Sequence, residues 1–600
     1  MSLFYCFITP AFKLMVSKLS TDVLVVGGGT GGVAAAIQAA RRGAKTILVS
    51  EFSWLGGMLT AAGVCAPDGN ELAAFQTGLW GAYLQALRHR QPGGLDNSWV
   101  SLFSYDPRTG AEIFADWVKQ LANLDWISGQ TPLEVLRQGN CLTGVRFADF
   151  IIEAKITIDG TELGDLLALA EVPYRWGWEL QSEFNELSAP IAFNELTQRY
   201  RVQAPTWVFI LQDYGDSSSG PISPSPSFPL PLSSFEGAWS NYGVEKFLNY
   251  GRLPGNLLMI NWPICGNDYG EKVGRLIESE SLRKEFLQEA YWHSQNFAHF
   301  IQRELGQRYG LAQAIFPHIQ SAFALHPYYR ESRRIRGQVT ITEKDILPVS
   351  GGCVAALPIT ENGEVSSVAI ANYPNDHHYP GIDFPLLPKS IRWGGRWTGT
   401  PFTIPYGSLV PNSIEGLLVC EKNISVSHIA NGSTRLQPVV MNIGQAAGMA
   451  AALCIELNCQ PQEVPIRTIQ EALLTDSLAP SAVIPLFNLS SEHPDWLTWQ
   501  RYYLDHREDY PLDGNCPCKE ITFSTQNCSL YQGIFHLYNH QEYRVTLTES
   551  TQKAGESWQL ITTRPEVDRQ LQNCHEGQLV SLRGRYNISG CWLLVEQIYF

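Results

Sequence analysis

"VLVVGGGTGGVAAAIQAARRGAKTILVSE", residues 23–51, decides how this chain is read. Five of the six positions from Gly27 to Gly32 are glycine, set between two apolar runs. "TDVLVV" (21–26) is β-branched, as strands buried in parallel sheets are, and "AKTILVSE" (44–51) is a second such run. Between them, "GVAAAIQAARRG" (32–43) is small, apolar and helix-favouring, with Gly43 placed as a C-cap. The spacing predicts a βαβ unit whose first turn carries the glycines.

Each glycine has a separate task in such a turn. Gly27 turns the chain out of the strand, Gly29 lets backbone approach a pyrophosphate, and Gly32 lets the helix lie close to the strand. Thr30 and Gly31 complete the loop at the helix N-terminus, where free N–H groups and the helix dipole favour an anion. Glu51, at the end of the second strand, is placed to accept hydrogen bonds from both ribose hydroxyls of an adenosine and to repel a 2′-phosphate. The pattern alone leaves NAD and FAD open.

The neighbouring sequence favours the longer dinucleotide. "WLGGMLTAAGV" (54–64) brings a second glycine pair, Gly56 and Gly57, followed by Met58, suited to backbone contact with a ribityl and flavin end. "ANGSTRLQPVVMNIGQAAGMAAALCIEL" (430–457) reads as a loop entering a helix, with Ser433 and Thr434 as caps and Pro438 as an early-helix proline. Gly444, Ala447, Gly448 and Ala451 form a small-residue face at helical spacing. That helix would aim its N-terminal end at the cofactor, and Gln445 is counted among the contacts.

At this point the chain resembles a known family, the FAD-dependent oxidoreductases sometimes called xanthan lyase-like, within the clan of two-dinucleotide-binding-domain flavoproteins. The resemblance runs from about 20 to 465. It is carried by the Gly27–Gly32 loop with "WLGGMLTAAG", by "IDGTELGDLLALAEVPYRWGWE" (158–179), and by "YYRESRRIRGQVTITEKDI" (328–346). "ANYPNDHHYPG" (371–381) and "IPYGSLVPNSIEGLLVCEKNISVSHIANGSTRLQPVVMNIGQAAG" (404–448) carry the rest. It implies FAD as cofactor, with Asp159 near it. Two departures stand out. Cys420, Glu421 and Lys422 replace the family's Ala-Gly-Arg, and Glu162 and Leu163 replace small polar residues. Glu421 is read as hydrogen-bonding ribityl hydroxyls in place of a close backbone contact.

The implied fold class is α/β. A discontinuous Rossmann-like FAD-binding domain (20–65, 110–180, 404–465) carries an inserted α+β substrate domain (66–109 and 181–403). A small β-rich domain, with a barrel as the candidate shape, follows at 495–600, where short alternating runs are separated by polar turns. Residues 1–19 read as a disordered extension or a mis-set start, Met15 being an alternative start. "GDSSSGPISPSPSFPLPLSS" (215–234) reads as a surface loop, a lid or an insertion. Residues 281–306 have helical periodicity, with His293 and His299 as packing or surface residues.

Composition sets the outer bounds. The 600 residues carry a formal net charge of -15, which argues against a nucleic-acid surface. No run reaches the roughly 20 apolar residues that span a bilayer. Thirteen cysteines, mostly isolated in apolar stretches, suit a reducing compartment, and a cytoplasmic location is expected. "CPC" at 516–518 lacks the spacing of a zinc pair, and no metal is expected.

The chemistry expected is hydride transfer between a small organic substrate and flavin N5, with CH–OH oxidation of a carbohydrate-like or acidic molecule favoured. His378, or its neighbour His377, is the acid–base candidate, with a structural histidine as the alternative. Arg330 and Arg333 are candidates to clamp a carboxylate, or to pair internally with Glu331 or another acid. His428 and Arg435 flank the loop expected to face the flavin, where Arg435 would stabilise negative charge on reduced flavin. Tyr329 is a candidate donor to substrate. Expected partners are a small-molecule substrate, an electron acceptor and, through the C-terminal domain, a protein. The competing reading is a flavin-binding scaffold whose catalysis has lapsed.

Overall fold

The computed structural model describes residues 17–227, 232–318, 321–387, 390–519, 528–549 and 553–600. Of the expected extension 1–19, residues 1–16 lie outside these, as do 228–231 of the expected loop. Strand β1 (Ser17–Val26) starts earlier than the sequence suggested, at Ser17. The reason is pairing: Ser17–Thr21 run in parallel register with Phe150–Ala154, so the strand continues as long as its partner does.

Three separated stretches of chain build the main sheet. They supply β1, β2 (Thr46–Ser50), β3 (Leu124–Ser128), β4 (Glu134–Gln138), β5 (Cys141–Arg146) and β6 (Phe150–Asp159), in the order β3-β2-β1-β6-β5-β4. The β1, β2, β3 and β6 pairings are parallel, and β4 and β5 form an antiparallel hairpin on one edge. The third stretch is β7 (Leu417–Val419), which pairs with the C-terminal end of β6 through Leu417↔Thr157 and Val419↔Asp159. The carboxyl ends of β1, β6 and β7 therefore converge, which is where open α/β sheets bind ligands.

Helix α1 (Thr30–Arg41) leaves the glycine turn two residues before the sequence reading placed it. Gly27 has φ +110°, and a Cβ on it would lie 2.0 Å from the Gly160 carbonyl oxygen, so both turn and sheet closure require glycine there. Behind α1 come the long α2 (Glu280–Leu305), the short α3 (His428–Thr434) and α4 (Gln437–Leu457). Every α4 residue from Gln437 to Cys454 is buried. By length and composition α4 would be apolar enough to cross a membrane, but 94% of its apolar window is buried inside the protein, as in a core helix.

The inserted region holds a four-stranded sheet of Tyr309–Leu311, Phe209–Asp213, Leu257–Ile260 and Arg252–Leu253, in that order. It packs on α2 through its own core, which includes Phe209, Phe235, Phe297 and Ile301. α2 is N-capped by Ser279, whose hydroxyl accepts from Leu282 N at 3.2 Å. His293 and His299 bond the carbonyls of Gly266 and Ile222. The Ser/Pro-rich loop is strapped to α2, with Ile222 N donating to Gln302 and Ser225 N to Asn296.

The C-terminal β-rich unit is shorter than expected. Trp496–Asp505 is a helix whose Trp496, Tyr503 and Leu504 join the main core. The barrel begins at Ser529 with β8 (Ser529–Asn539), β9 (Glu542–Glu549), β10 (Ser557–Ile561), β11 (Leu579–Asn587) and β12 (Trp592–Tyr599). It closes in the order β8-β9-β10-β12-β11, with α5 (Pro565–Gln572) between β10 and β11. One of its anchors on the body is the turn at Gly394, beside bonds from Asn587 and Trp592 to Asp96. Gly394 N donates to Asp568 Oδ1 at 3.0 Å, and Thr562 N donates to the Gly394 carbonyl at 2.8 Å.

Candidate cofactor and active site

A cavity of about 300 Å³ opens at the carboxyl ends of β1, β2 and β6. Gly28, Gly29, Glu51, Gly57, Glu162 and Tyr329 are among its walls. Larger and more open grooves lie elsewhere on the molecule, two of them beside the barrel. Glu51 is exposed at the end of β2, where the sequence reading places the ribose. The second glycine pair closes over the first. Gly56 N donates to the Gly28 carbonyl at 2.9 Å, and Thr30 Oγ1 donates to the Gly56 carbonyl at 2.8 Å. A Cβ on Gly57 would lie 2.7 Å from Gly29 Cα, so the two loops meet backbone to backbone. Met58 is fully buried beneath them.

The site's acids are concentrated at the end of β6 and after β7. Asp159 Oδ1 accepts from Thr161 N at 2.9 Å and Thr161 Oγ1 at 2.6 Å, and burial pushes its carboxyl up to about 7. Glu162 Oε1 is buried with no hydrogen-bond partner and faces Gly29 and Gly57. An orphaned acceptor beside the glycine loops suits the hydroxyls of a ribityl chain. Glu421, expected at the ribityl hydroxyls, is bonded by groups of the protein itself. Its Oε1 accepts from Gly31 N at 2.6 Å, at the start of α1. Lys422, fully buried, bridges Glu162 Oε2 at 2.6 Å and Glu421 Oε2 at 3.2 Å.

Three cofactor assignments need correction. Ser433 and Thr434 do not cap α4. They lie inside α3, which is capped by Ser427, and α4 starts from Leu436 without a side-chain cap. The break between α3 and α4 falls at Arg435–Leu436, with Pro438 in the first turn of α4, so the cap position lies beyond Ser433 and Thr434. Gln445 accepts from Leu79 N and donates to Gln38 and the Ala479 carbonyl, a buried structural hub away from the cavity.

The candidate catalytic residues fall into three places. His378, Arg330 and Arg435 join one charged chain. Asp268 Oδ2 meets His378 Nδ1 at 2.9 Å, and Asp376 Oδ2 meets His378 Nε2 at 2.8 Å. Arg330 backs Asp268 at 3.1 Å, and Arg435 backs Asp376 at 3.0 Å and Tyr328 at 2.5 Å. Burial alone would raise the Asp268 carboxyl, but Arg330 and His378 outweigh it and hold it down to about 2. His378 and Arg435 likewise hold Asp376 low against burial. The chain has a buried and an open end: the Asp268 side chain is 3% exposed and that of Asp376 40%.

His428 belongs to a second, closed network. Its Nδ1 meets Glu331 at 2.9 Å, its Nε2 meets Tyr379 OH at 2.6 Å, and Trp178 covers it. Burial, with Arg334 nearby, lowers it to about 3, and its ring is fully enclosed in this network. His377 bonds Tyr379 and the Ile429 carbonyl and is lowered to about 3 by burial and His428.

Arg330 and Arg333 do not form one clamp. Arg333 turns to Asp165 at 3.0 Å and the Leu163 carbonyl at 2.8 Å, while Arg330 holds Asp268 and Ala204. Each guanidinium is neutralised internally by a different carboxylate. Tyr329 lines the dinucleotide cavity instead of standing beside His378. Asp268, Asp376 and Tyr328 were missed. Only the His378–Asp376 pairing had a local cue, since the two lie two residues apart.

The family model described as FAD dependent oxidoreductase matches residues 22–473. Comparison with curated proteins found no match. Among solved structures, the chain is similar to Aquifex aeolicus GidA, at 23% identity over 23% of this chain and 24% of that one, with TM-score 0.18. It is similar to a geranylgeranyl bacteriochlorophyll reductase-like protein from Thermoplasma acidophilum, at 12% identity over 81% of this chain and 97% of that one, with TM-score 0.33. It is also similar to the myxobacterial chondrochloren halogenase CndH, at 10% identity over 76% and 78%, with TM-score 0.32. The chain thus spans about a quarter of the GidA chain it matches. By the family match, this chain belongs to the FAD dependent oxidoreductases, and its cofactor is FAD.

Proposed function

We propose that the protein oxidises a CH–OH group of a small, neutral, carbohydrate-like substrate, with His378 handling the hydroxyl proton. The observation that carries this reading is the position of His378 between a buried and a half-open carboxylate. Asp268 would fix the ring through Nδ1, the orienting role a buried carboxylate plays for a catalytic histidine, and Nε2, bonded to Asp376 Oδ2 at 2.8 Å, would exchange the proton once the substrate hydroxyl takes the place of that half-open carboxylate. Bound FAD supplies a two-electron acceptor for the substrate carbon. Glu51 and the Gly27–Gly32 and Gly56–Gly57 loops would hold the dinucleotide. Tyr328 and Asp376, both bonded to Arg435, supply polar contacts near the proton site. A neutral substrate is favoured over an acidic one because Arg330, Arg333 and Arg435 each already face a carboxylate.

The test is anaerobic loss of the oxidised-flavin absorbance on adding polyols, aldoses and sugar acids. Neutral polyhydroxylated substrates should bleach the wild type. H378N should keep its FAD yet bleach about a hundredfold more slowly or worse. An H378N protein that bleaches at the wild-type rate would remove His378 from the chemistry. One observation favours the second reading, a scaffold without turnover: Glu421 holds the N–H of Gly31 at the start of α1. A protein that takes up no added FAD would support that reading.

A further inference from the structure

The N-terminus of α1 is the natural seat of a dinucleotide's pyrophosphate, because its free N–H groups and dipole attract an anion. Here a carboxylate of the protein already sits there. Gly31 N donates to Glu421 Oε1 at 2.6 Å. A Cβ on Gly29 would lie 2.4 Å from the same oxygen and 3.2 Å from Glu162 Oε1, so two carboxylates border the glycine loop. One ammonium, Lys422, serves both. Glu421 and Lys422 are fully buried, and burial holds the Glu421 carboxyl above the usual range even beside Lys422. Cys420, Asp159 at the end of β6, Glu51 and His326 are other titratable groups whose charges act on this cluster. Two carboxylates against one ammonium leave negative charge where a doubly negative pyrophosphate must come, in a pocket too dry to screen it.

We propose that Glu421 is a built-in stand-in for the cofactor's pyrophosphate: its carboxylate satisfies the α1 N-terminus in the empty protein and must give way when the dinucleotide binds. The proposal rests on the assignment of FAD to the Gly27–Gly32 loop. It makes Glu421 a determinant of cofactor affinity, in competition with the cofactor, and not a ribityl ligand. Two consequences follow. The flavin-free protein keeps α1 capped, and FAD binds more weakly than the glycine loop alone would allow.

The experiment titrates flavin-free wild type, Glu421→Gln and Glu421→Gly with FAD, ADP and adenosine at pH 8, following flavin fluorescence or bound ligand by equilibrium dialysis. Glu421→Gln keeps an acceptor for Gly31 N while removing the charge and the acceptor facing Lys422, so it guards against a misfolded glycine variant. Both variants should bind FAD and ADP about tenfold tighter or more, with adenosine unchanged because it lacks the pyrophosphate. Flavin-free Glu421→Gly should melt below the wild type and gain more than it on adding FAD. The proposal falls if FAD affinity drops in the variants while ADP affinity is unchanged, which would make Glu421 a ribityl ligand. It falls equally if all affinities are unchanged. If neither wild type nor variants bind FAD or ADP, the FAD assignment itself fails, a result distinct from the other two.

Discussion

Gly444 of α4 rests on Gly31 of α1 with no room for a methyl group: a Cβ at 444 would lie 2.2 Å from the Gly31 carbonyl oxygen. One turn further on, a Cβ at Gly448 would lie 2.2 Å from the Ala35 carbonyl. The two helices touch backbone to backbone, and α1 carries the glycine loop. Gly444→Ala should therefore cost about 1–3 kcal/mol of stability by overpacking. It should also weaken FAD retention, because α1 can relieve the clash only by moving its N-terminus. Thermal melts and FAD titration check both effects, and a variant unchanged in each would show that the contact has slack.

The adenosine end offers a cleaner test. Glu51 should accept the ribose hydroxyls through charge-assisted hydrogen bonds worth about 1.5–3 kcal/mol. Glu51→Ala should weaken adenosine and FAD by a similar factor, and equilibrium dialysis with both ligands measures it. A loss confined to FAD would place the ribose elsewhere.

Buried carboxyls make stability fall with rising pH. Glu186 is buried, accepts from Glu343 N at 2.7 Å and from the Ser427 hydroxyl, and burial raises it to about 7 from 4.5. Because the folded pKa is the higher one, its contribution is fully present below about 4.5 and is lost as pH rises to about 7. Glu186→Gln keeps both hydrogen bonds to Oε1 and removes the titration. It should be more stable than the wild type at pH 8, by about 1–3 kcal/mol, and gain nothing at pH 4.5. Denaturant unfolding at the two pH values decides it, and equal gains at both would point to packing.

Asp268 gives the opposite slope. Its folded pKa, about 2, lies below the ordinary 3.8, so its stabilisation is present above about 4 and is lost as pH falls toward 2. Asp268→Asn should be destabilised at neutral pH by about 2 kcal/mol or more, because Arg330 keeps its burial and loses its counter-charge. The gap to the wild type should close on acidification. A gap independent of pH between 5 and 2 would mean that the carboxylate charge contributes nothing there.

One of the barrel's anchors is equally specific. Gly395 has φ +85°, and a Cβ on it would lie 2.1 Å from the Leu560 carbonyl. Gly395→Val should loosen the barrel from the body without unfolding either, seen as faster proteolysis between the helix at 496–505 and β8. Unaltered cleavage would show that the other contacts hold the barrel alone.

Much of the fold is written locally. The β1–α1–β2 unit, the roles of Gly27 and Gly32, the small face of α4 and the long helix at 281–306 rest on hydrophobic periodicity and on glycine's backbone freedom, properties of short windows. The boundaries that moved were set by partners distant in sequence. β1 begins at Ser17 because β6 extends to meet it, and the barrel begins at Ser529 because the preceding helix is claimed by the main core. The site was less legible. Sequence could nominate His378, Arg330, Arg333 and Arg435 for their chemistry, but not say which carboxylate each would meet. Asp268 is 110 residues from His378, and Asp165 is 168 from Arg333. Those pairings separate the His378 network from the Arg333–Asp165 ion pair, and they arise only when loops from different parts of the chain are brought into one low-dielectric interior. The same holds for Glu421: its sequence position shows a departure from the family, but only the packing of β7 beside β6 and α1 puts its carboxylate on the N–H of Gly31.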